Sequence, residues 1–305
     1  MKKRFILIII ILVLIIAGCD KKNTNDITIM TTNFPSYDFA RAITKNSNIK
    51  VKMLVKPGSE THDFDPTPKD IVNIENSKLF IYVGGESDEW VNTILKDIDV
   101  NSIKLMDLVE VVEEEIVDGM EHKEEHEHEE EYDEHVWTSP INAITILNKL
   151  KDEIVKLDPT SRNLFESNTK EYIDKIEAID KEIREIINNS KRKELVFADR
   201  FPLRYFVLEY GLEYSAAFPG CSEQTEASSK TISYLINKVK KDNIPVVFHI
   251  EMSNGNIAKT IANETGAKVL EFNSAHNISL DDFNNAITYV DIMKNNVEVL
   301  KEALN

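Results

Sequence analysis

A chain of 305 residues is long enough to build more than one hydrophobic core, and a formal net charge of −17 argues against nucleic acid and toward cations as partners. Its two cysteines, Cys19 and Cys221, are too few for a disulfide framework.

Lys2, Lys3 and Arg4 precede an apolar run from Phe5 to Ile16, and Ala17-Gly18 stands directly before Cys19. This pattern predicts an export signal over residues 1–18, since the apolar run falls short of the roughly 20 residues that a membrane span needs. The mature chain is expected to start at Cys19, with lipid on its thiol anchoring an extracytoplasmic protein to the cell membrane. Residues 19–26 would form a polar tether. An uncut signal anchor is the alternative. With Cys19 lipidated, Cys221 has no partner and reads as a buried free thiol.

Short β-rich runs bounded by polar or turn residues follow at Ile27–Thr31, Lys50–Val55, Leu79–Val83 and Ile103–Leu108. They recur at Glu194–Ala198, Glu213–Ala217, Pro245–Ile250 and Lys268–Phe272. Helical patterns lie between them, for example at Ser36–Lys45, Pro68–Asn76, Ser229–Lys241 and Asn256–Thr265. The alternation predicts an α/β fold of two domains, each a four-stranded parallel sheet flanked by helices. Pro140–Leu157 reads as one helix. After Asp158-Pro159 a second runs from Ser161 to Asn189, its apolar positions stepping by three and four from Tyr172 to Ile187. At 1.5 Å per residue it would be roughly 40 Å long, enough to join both domains. An ordinary amphipathic helix of the second domain is the other reading. The expected division is an N-terminal domain over 27–158, a linking helix over 159–192 and a C-terminal domain over 193–305.

Residues 110–135 differ in kind. They hold fourteen acidic residues, a single basic one (Lys123) and four histidines: His122, His126, His128 and His135. So charged a stretch is expected to be a mobile loop, over 110–134, that either binds metal loosely through His122, His126 and His128 or serves as a solvated spacer.

In open α/β sheets, ligands gather outside the carboxyl ends of the strands. His62 follows the second strand, His135 the fourth by way of the acidic loop, and His276 the eighth. Three imidazoles with a carboxylate or water fill a tetrahedral Zn²⁺ shell. Spacing alone is a weak signal, because singly each histidine is an ordinary capping or packing residue. His249, inside a strand, reads as packing or as a hydrogen-bond partner behind the site.

The stretch Pro57-Gly58-Ser59-Glu60-Thr61-His62-Asp63-Phe64-Asp65-Pro66-Thr67-Pro68 resembles the first metal-binding loop of the zinc and manganese solute-binding lipoproteins of ABC transporters. Tyr132-Asp133-Glu134-His135-Val136-Trp137-Thr138-Ser139-Pro140 resembles their second ligand motif, a histidine followed at two residues by tryptophan. Met30–Pro35, Thr225–Ser228, the acidic histidine-rich insertion and the linking helix extend the likeness from about Ile27 to the C-terminus. The resemblance implies a binding protein, not an enzyme, that takes up a divalent metal between two domains and passes it to a membrane permease, with the long helix limiting hinge motion. It breaks after the fifth strand, where a histidine or glutamate is usual and this chain has Ala198 or Arg200. The expected ligands are therefore His62, His135 and His276, with Glu223 or Asp199 as a tentative fourth. Glu60, Cys221, Glu251 and water also stand open, and Asp199 could instead pair with Arg200. Three imidazoles favour Zn²⁺ over Mn²⁺ as the cargo. A monomer that binds no nucleic acid is expected, an adhesin role could coexist, and the rival reading is a lipid-anchored zinc metallohydrolase.

Overall fold

A computed structural model describes residues 28–62, 64–121, 132–220, 222 and 226–305. Cys19, His122, His126, His128, Cys221 and Glu223 lie outside these residues. All eight strands form where the β-rich runs place them. Four of them, β1 (Thr28–Thr31), β2 (Lys50–Met53), β3 (Leu79–Tyr82) and β4 (Ser102–Lys104), make a parallel sheet in the order β2-β1-β3-β4. The others, β5 (Glu194–Phe201), β6 (Glu213–Pro219), β7 (Val246–His249) and β8 (Lys268–Glu271), repeat that order as β6-β5-β7-β8. Parallel strands need covered crossovers, and helices supply them. In the first half these include α1 (Phe34–Thr44), α2 (Pro68–Glu75), α3 (Glu89–Ile94) and α4 (Pro140–Leu157).

The 27-residue helix α5 (Arg162–Asn188) joins the halves. Its stripe of Phe165, Thr169, Tyr172, Ile176, Ile179, Ile183 and Ile187 is buried, a helical spacing that lays one face along both halves. It packs on α1 and α4 at one end and on the C-terminal helix at the other. The second half continues through α6 (Arg204–Tyr210), α7 (Ser229–Asp242), α8 (Asn256–Thr265), α9 (Leu280–Asn284) and α10 (Tyr289–Leu304). One apolar core runs unbroken from Ile29 and Phe39 through the α5 stripe to Phe197, Phe272 and Leu304. Asp38 of α1 ties the seam, accepting from Tyr172 of α5, from Arg41, and from the Tyr289 backbone amide at 2.9 Å. No helix among the described residues is long and apolar enough to cross a membrane.

Two details depart from the sequence reading. The fourth β-rich run pairs only over Ser102–Lys104, and Leu105–Leu108 turns into a 3-10 helix that buries Leu105 and Met106. The acidic segment is also not loose over its whole length. Val111, Val112, Val117 and Met120 pack against the shared core, Glu113 bridges to Tyr132, and Glu115 pairs with Arg204 of α6. Glu121 accepts from Ser228 and Thr231 at the start of α7. Apolar residues scattered among the acids, together with cationic and hydroxyl partners on the second half, outweigh the solvation that charge alone would favour.

Candidate metal centre

The carboxyl ends of both sheets face one seam, and the loops that leave them carry the site. His62 lies in the loop after β2. The loop after β4 brings Asp133, Glu134 and His135 just ahead of α4, whose first turn is capped by the Ser139 side chain accepting from the Asn142 amide. His276 lies in the loop after β8. The three rings meet, with centroids 5.0 Å apart for His62 and His276, 4.9 Å for His135 and His276, and 6.1 Å for His62 and His135.

A fourth donor joins them that sequence reasoning missed. One ligand atom from each of His62, Glu134, His135 and His276 can be chosen so that all lie within 4.8 Å of one another. Glu134 Oε1 is 3.9 Å from His62 Nδ1 and 3.6 Å from His276 Nε2. Donors of a tetrahedral zinc at bonds of about 2.0–2.1 Å stand roughly 3.4 Å apart, so small inward shifts would close the shell. The space among the rings is about 20 Å³, room for a single ion or water. His62 Nδ1, His135 Nε2 and His276 Nε2 are buried and have no hydrogen-bond partner among the described residues. Leaving a buried polar atom unsatisfied costs about 1–3 kcal/mol, and three such atoms aimed at one point call for a shared partner.

Three of the four cluster residues are held from behind. Asp133, fully buried, accepts from the His135 amide at 2.7 Å and sits 3.0 Å from His135 Nδ1, which leaves Nε2 to face the cluster. Glu134 is gripped by Ser87, whose amide donates to Oε2 at 3.0 Å and whose hydroxyl donates to Oε1. The grip depends on Gly85, because a Cβ there would come within 2.2 Å of Glu134 Cβ. Gly84 beside it turns at φ +98°, and Asp88 fixes that turn by accepting from the Val83 and Gly84 amides. Burial and the neighbouring Glu134 charge raise the Asp88 carboxyl to about 7. Glu251, after β7, accepts from the Ser274 amide at 2.7 Å, the Ser274 hydroxyl and the His276 amide at 3.0 Å.

Hydrogen bonds also cross the seam. Trp137 Nε1 donates to Ser274 O at 2.8 Å, with its ring 5.1 Å from His276 and 5.4 Å from His135. Asn277 Nδ2 donates to Lys56 O and Ser59 O, binding the His276 loop to the His62 loop. Two of the rings are biased toward the neutral form that a cation needs, and the third is not. Burial, with the charges of His135, His62 and Arg200 nearby, drops His276 well below its ordinary value. Burial also lowers His62, against the pull of Glu134. Burial works in the same sense on His135, but Asp133 and Glu134 outweigh it and raise that ring.

The other candidates stand elsewhere. Asp199 accepts from the Arg200 amide at 2.9 Å and the Ile250 amide at 3.5 Å, and it lines a neighbouring cavity. The Arg200 guanidinium pairs with Glu60 at 3.0 Å, not with Asp199. His249 Nδ1 turns to Ile250 O at 2.9 Å, with the ring against Gly255. Glu134 escaped notice because it is one acid among fourteen. The Gly84-Gly85 pair after β3, which admits a side chain at close range, was the signal available.

Residues 29–303 match the profile of the family described as "ZnuA: Zinc-uptake complex component A periplasmic". The chain belongs to this ZnuA family. It is 32% identical to the high-affinity zinc uptake system protein ZnuA of Bacillus subtilis, over 95% of this chain and 94% of that protein. It is 29% identical to the zinc-binding lipoprotein AdcA of Streptococcus pneumoniae, over 99% of this chain but only 61% of that longer protein. Among solved structures, the metal-dependent lipoprotein YcdH from Bacillus subtilis superimposes with a TM-score of 0.78 at 29% identity, covering 92% of this chain and all of that one. The Zn(II)-bound ZnuA-like domain of Streptococcus pneumoniae AdcA gives 0.75 at 26% identity, covering 92% and 99%. The two-sheet fold with its long joining helix is thus that of the family.

Proposed function

We propose that this chain captures Zn²⁺ outside the cytoplasm through His62, Glu134, His135 and His276, and hands it to the membrane permease of an ABC transporter for import. The observation that carries the reading is the convergence of three buried, unpartnered ring nitrogens on one carboxylate. Neutral imidazoles with one carboxylate suit Zn²⁺ better than Mn²⁺, which prefers oxygen donors. Family membership supplies the transport role, and the zinc-binding relatives supply the cargo.

Several finer features belong to the same proposal. Cys19 carries lipid and holds a monomer at the membrane, and residues 122–131 bind further zinc loosely through His122, His126 and His128. The domains divide at 27–158 and 193–305 around the helix of 159–192. A metallohydrolase is the weaker reading, since a catalytic zinc keeps a position open for water and four protein donors fill the shell.

Elemental analysis of the purified protein, paired with esterase and peptidase assays, tests the function. One tightly held Zn²⁺ per chain without turnover is expected, and zinc-dependent turnover would overturn the transport reading. Cys19→Ala should release the protein from the membrane fraction into the medium.

A further inference from the structure

Glu60 and Arg200 meet across the mouth of the histidine cluster, one from each half of the molecule. Arg200 Nη2 lies 3.0 Å from Glu60 Oε2, and Nη1 lies 3.4 Å from Oε1, a two-pronged pairing that fixes both side chains in orientation. Glu60 stands two residues before His62 in the loop after β2. Arg200 lies near the end of β5, just past an irregularity in the β5–β6 register between Phe197 and Arg200. Arg200 thereby sets a cation beside the histidine cluster.

What lies on either side of the pair gives it meaning. Glu60, Arg200 and Met252 line the small pocket that holds the rings, and the same three line a second cavity of about 120 Å³. They form the wall between the two. The second cavity is polar, with Asp199, Ser253, Asn254 and Asn256 around it, so a hydrated cation can reside there. Glu60 keeps 38% of its side-chain surface exposed and Arg200 13%, which puts the pair at the solvent boundary. The Gly58 amide to Ile278 O link at 2.7 Å, which joins the same His62 and His276 loops, is neutral, whereas the ion pair answers to ionic strength.

We propose that the Glu60–Arg200 pair, with Met252 beside it, is the gate of the zinc site, and that the polar cavity containing Asp199 is its antechamber. The inference rests on the reading that His62, Glu134, His135 and His276 hold Zn²⁺. While the pair is made, the ion is sealed among its four donors. When it parts, the two cavities merge and the ion exchanges hydration water for ligands step by step. Arg200 contributes in a second way, because its charge is cancelled by Glu60 only while the gate is shut.

The test follows transfer of Zn²⁺ from the loaded full-length protein to a chromophoric chelator in a stopped-flow instrument. The double variant Glu60→Gln with Arg200→Gln removes the pair while preserving net charge. It should release zinc about two- to fivefold faster than wild type, the scale of a partly exposed ion pair. Wild-type release should quicken between about 50 mM and 0.5 M salt, and the double variant should lose that response. Arg200→Lys keeps the charge without the fork and should fall between the two, even if the double variant folds poorly. Wild-type release rates in the double variant, or an unchanged salt response, would overturn the gate. His62→Ala in the same assay separates the two readings. If it loses tight zinc while the double variant exchanges normally, the gate alone fails, and if it keeps tight zinc, the four-ligand site fails.

Discussion

The two sheets share one strand order, yet they divide the work of the site unequally. The first half sends His62, Glu134 and His135 into the cluster, and the second sends His276. Behind the donors the halves use the same device with reversed polarity. In the first, Ser87 after the third strand donates to Glu134 after the fourth. In the second, Glu251 after the third strand of that sheet accepts from Ser274 and His276 after the fourth. The repeated topology fixes where a side chain can emerge, and the residues at those points give the cluster three members from the first half and one from the second.

The sharpest way to break this comparison is to remove donors one at a time. His62→Ala and His135→Ala should each weaken Zn²⁺ binding by orders of magnitude, about a thousandfold. His276→Ala, which leaves three first-half donors in place, should cost nearer a hundredfold, losses at or above the roughly 10–100-fold typical of supporting residues. Titration calorimetry reads all three, and a His276→Ala loss equal to the others would erase the distinction between the halves.

Glu134 comes next. Glu134→Gln should weaken binding by about ten- to a hundredfold, the range seen for groups behind the ligands. Gly85→Ala should reproduce part of that loss without touching a donor, because the new methyl collides with Glu134. Normal affinity in both variants would remove Glu134 from the shell.

Proton release gives a finer reading. In the metal-free protein Asp133 and Glu134 hold the proton of His135 to higher pH than usual, whereas burial makes His62 and His276 lose theirs at lower pH. Metal must displace the His135 proton, so affinity falls as pH drops through that ring's raised value. Calorimetry in buffers of different ionisation enthalpy should register release of about one proton per Zn²⁺ at pH 6.5. Release of two or more would show that the rings are not set apart in this way.

The smallest effect is expected from deleting residues 122–131. Tight binding should persist with less than about a twofold change in affinity, while weaker zinc binding beyond the first equivalent disappears, as expected of a histidine-rich tract. The cut spares Glu115 and Glu121, whose contacts with the second half are structural, and Met120, which is buried in the shared core.

How far the sequence led depended on whether a signal was local. The eight strands were legible because β-branched and aromatic runs stand between turn residues, and the long helix because Tyr172, Ile176, Ile179, Ile183 and Ile187 keep helical steps. The three histidines were legible because each follows a strand. Glu134 was masked by thirteen similar acids around it. The Glu60–Arg200 pair joins residues 140 positions apart, which no local pattern encodes. The docking of Val111, Val112 and Met120 was hidden by the charge that surrounds them.

Trp137 offers a built-in gauge of loading. Its indole is wholly buried, rests against two of the imidazoles, and donates its N–H across the seam to the opposite half. The chain's other tryptophan, Trp90, packs edge-on to Phe64 and tilted against Phe80 in a separate apolar cluster. In a Trp90→Phe background, ultraviolet emission from the intact protein would follow zinc arrival and departure directly, with no attached dye.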